Sequence, residues 1–204
     1  MSSFVIDGLE LPVSIGGHPA LDFCNTRAGW GSSTPKEYLR SYDHLAVWTR
    51  EVGLLDPATV ARLLATAAAD GSAANAVLSD ALTLREATYA VALGSPAPRS
   101  FGLVARQASA ARCAAMLALQ PPGSPSIARW VLLEQGVNAP LLAVAAQVDD
   151  LLNSPLSTAI GACPGRGCGW LFADPRRRRR WCDMAVCGNR AKARRHAQRV
   201  ARAD

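Results

Sequence analysis

The chain has 204 residues, a formal net charge of +6 and 50% hydrophobic residues, enough for one ordinary domain plus a small module. Met1 to Val13 lacks a basic n-region, an apolar h-region and a small-residue cleavage site. The longest apolar stretch, around Val137 to Val148, is too short and interrupted to cross a bilayer, so a cytoplasmic protein without a membrane partner is expected.

In chain order, Pro19 to Thr26 reads as a short strand, with Leu21 and Phe23 on one face and Asp22 and Cys24 on the other. Thr34-Pro35 followed by Glu37 reads as an N-cap with proline at the first helical position, opening a helix over about 36–53. Further helices are expected over about 57–69, 74–93 and 100–112, broken at Gly53, Asp56-Pro57, Asp70-Gly71 and Gly94. Met116 to Gln120 and Ile127 to Glu134 read as a β-hairpin across Pro-Pro-Gly-Ser-Pro, and helical periodicity returns from Asn138 to Leu152. Along 74–93, Leu78, Leu82, Tyr89 and Leu93 form one stripe, with Arg85 inside it. An arginine on an apolar face needs a carboxylate or other acceptors. Asp22 is the candidate partner, and His18, Asn25 and Thr26 could complete a polar pocket beside it. A buried ion pair, a snorkelling Arg85 and a small-ligand site all remain open at this point.

Past Pro155 the composition changes. Residues 163–204 carry 12 Lys/Arg against 3 Asp/Glu, whereas the preceding 162 residues carry 10 against 13. Cys163 and Cys168 flank four residues, as do Cys182 and Cys187, and glycine and proline let each pair turn tightly. Four thiolates on two tight turns suit one tetrahedral, structural Zn²⁺. Reduced, metal-free cysteines and two disulfides are the alternatives, the latter disfavoured by the expected reducing compartment. Gly169 to Ala173 and Arg179 to Cys182 read as short strands joined by Asp174-Pro175 and the run Arg176, Arg177, Arg178, Arg179, Arg180. From about Ala185 or Asn189, with Asn189 as N-cap, the chain reads as a helix to near Ala201. Ala193, Ala197, Val200 and Ala201 gather on one side, expected to pack on a knuckle. Lys192, Arg195, Arg199 and Arg202 lie nearly opposite, flanked by Arg190 and Arg194, with no acidic residue from Arg190 to Ala203. A solvated helix face is the bland reading of this pattern; a cationic face for nucleic acid is the functional one.

Cys163-x4-Cys168-Gly-Trp-Leu-Phe, with Arg-Arg-Trp-Cys182-Asp-Met-Ala-Val-Cys187-Gly188-Asn189-Arg190 and the basic helix after it, closely resembles the CGNR zinc finger. Gly17-His-Pro-Ala-Leu-Asp-Phe-Cys-Asn-Thr26 resembles the opening of the ABATE domain that usually precedes this finger, with Cys24 where a branched apolar residue is more typical. A buried cysteine acting as a small hydrophobe is the simplest account of Cys24 and of Cys113; a redox-responsive thiol at Cys24 is the alternative. The resemblance implies a bacterial transcription regulator, with a DNA-binding finger and an N-terminal domain that senses or interacts.

The expected fold is therefore α+β. A mainly helical N-terminal domain (1–155) carries a short strand and a β-hairpin, and a small C-terminal four-cysteine zinc finger (156–204) ends in a basic helix. Arg176 to Arg180, Arg190, Lys192, Arg194, Arg195 and Arg199 are the candidate nucleic-acid contacts. Duplex DNA is the expected partner, and a zinc-stabilised RNA-binding or adaptor module is the alternative. Control by a small-molecule effector through the N-terminal domain fits either. No enzyme is expected: four cysteine ligands leave no open coordination position, and no nucleophile–base pair or phosphate-binding glycine loop stands out.

Overall fold

The computed structural model describes residues 2–94, 96–133 and 136–201, so the expected strand end at Glu134 and the basic Arg202 lie outside the described residues. The fold is α+β. The elements are β1 (Ser3–Ile6), β2 (Leu9–Pro12), α1 (Pro19–Cys24), β3 (Arg27–Ala28), β4 (Lys36–Glu37), α2 (Tyr42–Glu51), α3 (Pro57–Ala69), α4 (Gly71–Ala92) and α5 (Pro98–Cys113). They continue with β5 (Ala115–Leu119), β6 (Ala128–Leu132), a 3₁₀ turn at Gly136–Asn138, α6 (Ala139–Asn153), a 3₁₀ turn at Pro155–Ala159, β7 (Ile160–Ala162), β8 (Leu171–Ala173) and α7 (Asn189–Val200). All strand pairs are two-stranded and antiparallel: β1 with β2, β3 with β4, β5 with β6, and β7 with β8.

Compactness does not divide the chain at 155. One unit comprises residues 1–40 together with 151–204, and the other residues 41–150. The N-terminal forty residues thus share a core with the cysteine module.

The second unit is helical. Asp56 caps α3 through a hydrogen bond from the Thr59 N–H (2.9 Å), and Asp70 caps α4 through the Ala73 N–H (3.1 Å). Buried Leu45, Trp48, Val60, Leu63, Leu84 and Val144 are among the apolar residues of this unit. α4 lies along α5, and both α3 and α4 pack against the 3₁₀ turn before α6. The buried face of α4 is Ala74, Val77, Ala81, Leu84, Arg85 and Thr88, a helical repeat of mainly small residues. Leu78, Leu82 and Tyr89 are only half-buried and Leu93 is exposed, so the expected stripe is displaced by a fraction of a turn. Arg85 is nonetheless on the buried face and only 2% exposed, which removes the snorkelling reading.

Three expectations fail for local reasons, and one element comes in addition. Residues 19–24 form a helix rather than a strand: Pro19 starts it, the His18 Nδ1 accepts the Ala20 N–H (3.2 Å), and Ala20 to Cys24 are all buried, so no two-faced alternation exists. The helix expected from 36 starts at Tyr42, because Ser41 supplies the cap, its Oγ accepting the His44 N–H (3.4 Å). Lys36–Glu37 pairs instead with Arg27–Ala28. Residues 179–182 form no strand, since Asp174 holds that segment in a turn. The β1–β2 hairpin is an addition to the expected elements, although Asp7-Gly8 between apolar runs is its signal. Both residues adopt positive φ (51° and 76°), as a two-residue turn of this kind demands.

A four-sulfur centre and its basic surface

The first knuckle is shaped by its backbone. The Cys168 N–H donates to the Gly165 carbonyl (2.8 Å), and the Cys163 N–H donates to the Trp170 carbonyl (2.8 Å), folding residues 163–170 into a tight loop. Gly165 sits against the sulfurs: a Cβ there would lie 3.2 Å from the Cys187 Sγ and 3.4 Å from the Cys163 Sγ. The second knuckle is a wide i→i+5 turn, Met184–Gly188, capped by Asp183, whose carboxylate accepts the Ala185 N–H (2.7 Å). Asn189 is therefore not the helix cap; its Nδ2 donates to the Ala185 carbonyl (3.0 Å) as α7 continues out of the turn.

These turns bring the buried sulfurs of Cys163, Cys168, Cys182 and Cys187 within 4.8 Å of one another. Cys168 to Cys182 is 3.6 Å and Cys182 to Cys187 is 3.7 Å. A tetrahedron of sulfurs about 2.3 Å from zinc has an edge of about 3.8 Å, whereas a disulfide needs about 2.05 Å. The spacing fits the metal and excludes the disulfide alternative. The thiols also oppose one another's ionisation. Hydrogen bonding with Cys163 helps push Cys168 up to about 12, and bonds to Cys163 and Cys168 raise Cys182, while the same bonds lower Cys163. A divalent cation relieves that opposition, because a zinc-bound thiol is deprotonated outright. The chain carries one structural zinc site, closed by four protein ligands.

Around the sulfurs lies a small core of Ala28, Tyr38, Trp170 and Phe172, with Val13, Ile15, Trp30 and Trp181 partly buried beside it. The N-terminal segment is tied to this core by its polar residues. Asn25, fully buried, meets the Leu171 backbone at both ends: its Nδ2 donates to the Leu171 carbonyl (2.9 Å) and its Oδ1 accepts the Leu171 N–H (2.8 Å). The Trp170 indole donates to the Arg27 carbonyl (3.0 Å), the Trp30 N–H to the Cys168 carbonyl (3.2 Å), and the Ala173 N–H to the Gly16 carbonyl (2.7 Å). Asp22 accepts the N–H groups of Ile15 (2.8 Å) and Gly16 (2.7 Å). Burial pushes its carboxyl up, and those two donors pull it back down.

The expected Asp22–Arg85 pair is thus corrected. The two residues belong to different units, and the Asp22 carboxylate is committed within its own, whereas Arg85 has Glu86 Oε1 at 3.6 Å. His18 caps α1 and the Thr26 hydroxyl donates to the Phe23 carbonyl (2.6 Å), so three of the four expected pocket residues serve local structure and Asn25 serves the finger. Cys24 is buried and Cys113 exposed.

The basic residues divide into two kinds. Asp174 Oδ1 accepts the Arg178 N–H (2.9 Å) and Oδ2 the Arg179 N–H (2.7 Å), which fixes the arginine run as a turn. The Arg179 side chain, although exposed, folds back on the finger, donating to the Ile15 carbonyl (3.0 Å) and the Cys182 carbonyl (2.5 Å) and covering the Phe172 ring at 4.6 Å. Arg180 lies over Trp181 at 5.4 Å. Arg176, Arg177 and Arg178 are exposed, without a side-chain partner among the described residues. Residues 192–200 are exposed on every side, so Ala193, Ala197, Val200 and Ala201 do not pack on a knuckle as expected. Arg190, Lys192, Arg194, Arg195 and Arg199 have no acidic partner among the described residues. Arg166, absent from the expected contacts, lines a small cleft with Arg190 and Arg194; its place between the first two ligands is the signal.

Residues 17–155 match the ABATE family model, described as Putative stress-induced transcription regulator, and residues 160–200 match the CGNR zinc finger. No curated protein is significantly similar to the chain. No helix among the described residues is long and apolar enough to cross a membrane.

Three outcomes follow from the geometry. Cys182→Ser should reduce bound zinc from about one per chain to near zero and unfold the cysteine module, while the helices of residues 41–150 persist; metal analysis and circular dichroism check both. Zinc affinity should fall as pH falls, since protons compete for the thiolates. Asn25→Ala should cost about 2–4 kcal/mol in denaturant unfolding, because it strands a buried N–H and a buried C=O at Leu171.

Proposed function

This chain belongs to the ABATE family and ends in a CGNR zinc finger, and from that premise we propose a bacterial cytoplasmic transcription regulator that grips duplex DNA through α7 and the arginine turn. The carrying observation is the state of α7. It is a twelve-residue helix held at its root by the zinc knuckle, with five cations on residues 190–199, and among the described residues no acid neutralises them and residues 192–200 are all exposed. An α-helix is about 10–12 Å across and the major groove about 12 Å wide, so a helix projecting in this way can enter it. Arg166 and Arg180 border the same helix, and exposed Arg176 to Arg178 supply phosphate contacts that carry no sequence information.

Duplex DNA is favoured over single-stranded RNA because the aromatic residues are already committed. Trp170 and Phe172 are buried beside the sulfurs and Trp181 lies under Arg180, so the aromatic residues of the finger itself are committed and offer bases no open stacking platform. The closed four-cysteine site supports a non-catalytic role, since it offers no coordination position to a substrate.

The test is a random-library selection with the full chain, followed by titrations at several salt concentrations. A single enriched duplex motif is expected; enrichment without a motif, or preference for single strands, would favour the adaptor or RNA-binding alternative. Arg178→Ala should weaken binding to all sequences alike and reduce the salt slope by about 0.9. Arg190→Ala or Arg195→Ala should also relax sequence preference, by roughly 1–3 kcal/mol where either reads a base. Arg179→Ala should behave differently from its neighbour, lowering stability by about 1–2 kcal/mol through the lost bonds to Ile15 and Cys182.

A further inference from the structure

The β5–β6 hairpin holds many of the large exposed apolar side chains among the described residues, with Arg112 lying over Trp130 at 5.4 Å. Met116, Leu117, Leu119, Ile127, Trp130 and Leu133 are all exposed, Leu119 at 82% and Ile127 at 83%. Leu117, Leu119 and Trp130 share one face of the ribbon and Met116, Ile127 and Leu133 the other, and a lone two-stranded ribbon is marginal without a further strand or a cover. Both strands have an open outer edge among the described residues. They are guarded differently: β6 carries Arg129, whereas β5, Ala-Met-Leu-Ala-Leu, has no charge, proline or glycine to discourage pairing.

The ladder decides which groups that edge offers. The Leu133 N–H donates to the Ala114 carbonyl and the Gln120 N–H to the Ile127 carbonyl, both at 2.8 Å, in the register that pairs Leu117 with Trp130. Antiparallel ladders alternate, so residues 114, 116, 118 and 120 bond inward to β6. The N–H and C=O groups of Ala115, Leu117 and Leu119 therefore face outward.

We infer that β5 pairs antiparallel with β5 of a second copy of this chain, about a two-fold axis at Leu117, joining two hairpins into one four-stranded sheet. In that register every outward-facing residue meets another: Leu117 opposes its twin, and Ala115 opposes Leu119 of the other copy on each side. Met116 likewise opposes Ala118. Large side chains meet small ones at every position off the axis, a match that this strand makes with its own sequence. No charge opposes a like charge. Across the sheet, Trp130, Leu117, the second Leu117 and the second Trp130 form one apolar row, as the Leu117–Trp130 pairing requires. The contact is isologous, so it closes at two copies. It does not depend on the nucleic-acid reading, because it is tested by mass alone.

Sedimentation equilibrium of the zinc-loaded full chain at micromolar concentration should give twice 21.5 kDa. Leu117→Lys, which places two ammonium groups on the axis, should weaken self-association by at least about 100-fold with zinc content and helicity unchanged. A variant independent of that substitution's folding is Leu117→Cys with Cys113→Ser. Its twin Cα atoms would stand about 5.5 Å apart, so mild oxidation should link two chains, whereas Ile127→Cys should not link. A monomeric wild type, a dimer untouched by Leu117→Lys, or linkage at Ile127 in preference to Leu117 would each overturn the inference. So would a monomer that uses the hairpin to hold a different protein.

Discussion

Four sulfurs gathered on one metal ion carry most of the order in the unit built from residues 1–40 and 151–204. The module around them has few large apolar side chains, and Trp170, Phe172 and their neighbours could not close a core of their own. The metal fixes two turns that are far apart in sequence, and those turns present backbone groups to a second segment. Asn25 reads the Leu171 backbone as a neighbouring strand would, with one donor and one acceptor. The Trp170 indole and the Gly16 carbonyl extend the same attachment. The N-terminal forty residues therefore complete the finger, although the family model assigns residues 17–40 to the domain that precedes it.

Charge is segregated on the same unit. Asp174 and Asp183, two of its few acids, spend their oxygens on backbone N–H groups at the two turns. They shape the loops rather than pairing with the side chains of Arg176 to Arg178 or of α7. Arg179 shows how position within a run decides role: it is exposed like its neighbours, yet its guanidinium alone lies over Phe172 and donates to two carbonyls. A run of five arginines in sequence is thus one structural residue, one stacked on an indole and three exposed to solvent.

The metal centre is legible in the sequence because ligand spacing and turn-forming glycines are local. The long helices are legible too, from Asp56-Pro57 and Asp70-Gly71, whose capping chemistry lies within a few residues of the helices it starts. Residues 19–24 mislead, since a six-residue apolar run has the same composition in a buried helix as in a strand. The alternation of Leu21, Asp22 and Phe23 has no two-faced environment behind it.

What the sequence determined by itself was the zinc ligands, the helical body, the two strands of the β5–β6 hairpin and the excess of positive charge, all of which depend on neighbours along the chain. What only the tertiary structure decided was partnership at a distance. Asp22 turned to Ile15 and Gly16 rather than to Arg85, Asn25 met a strand 146 residues away, and α7 was left bare on its alanine side. The reason is that a buried polar group takes whichever acceptor or donor the fold brings within about 3 Å, and that choice is made by packing.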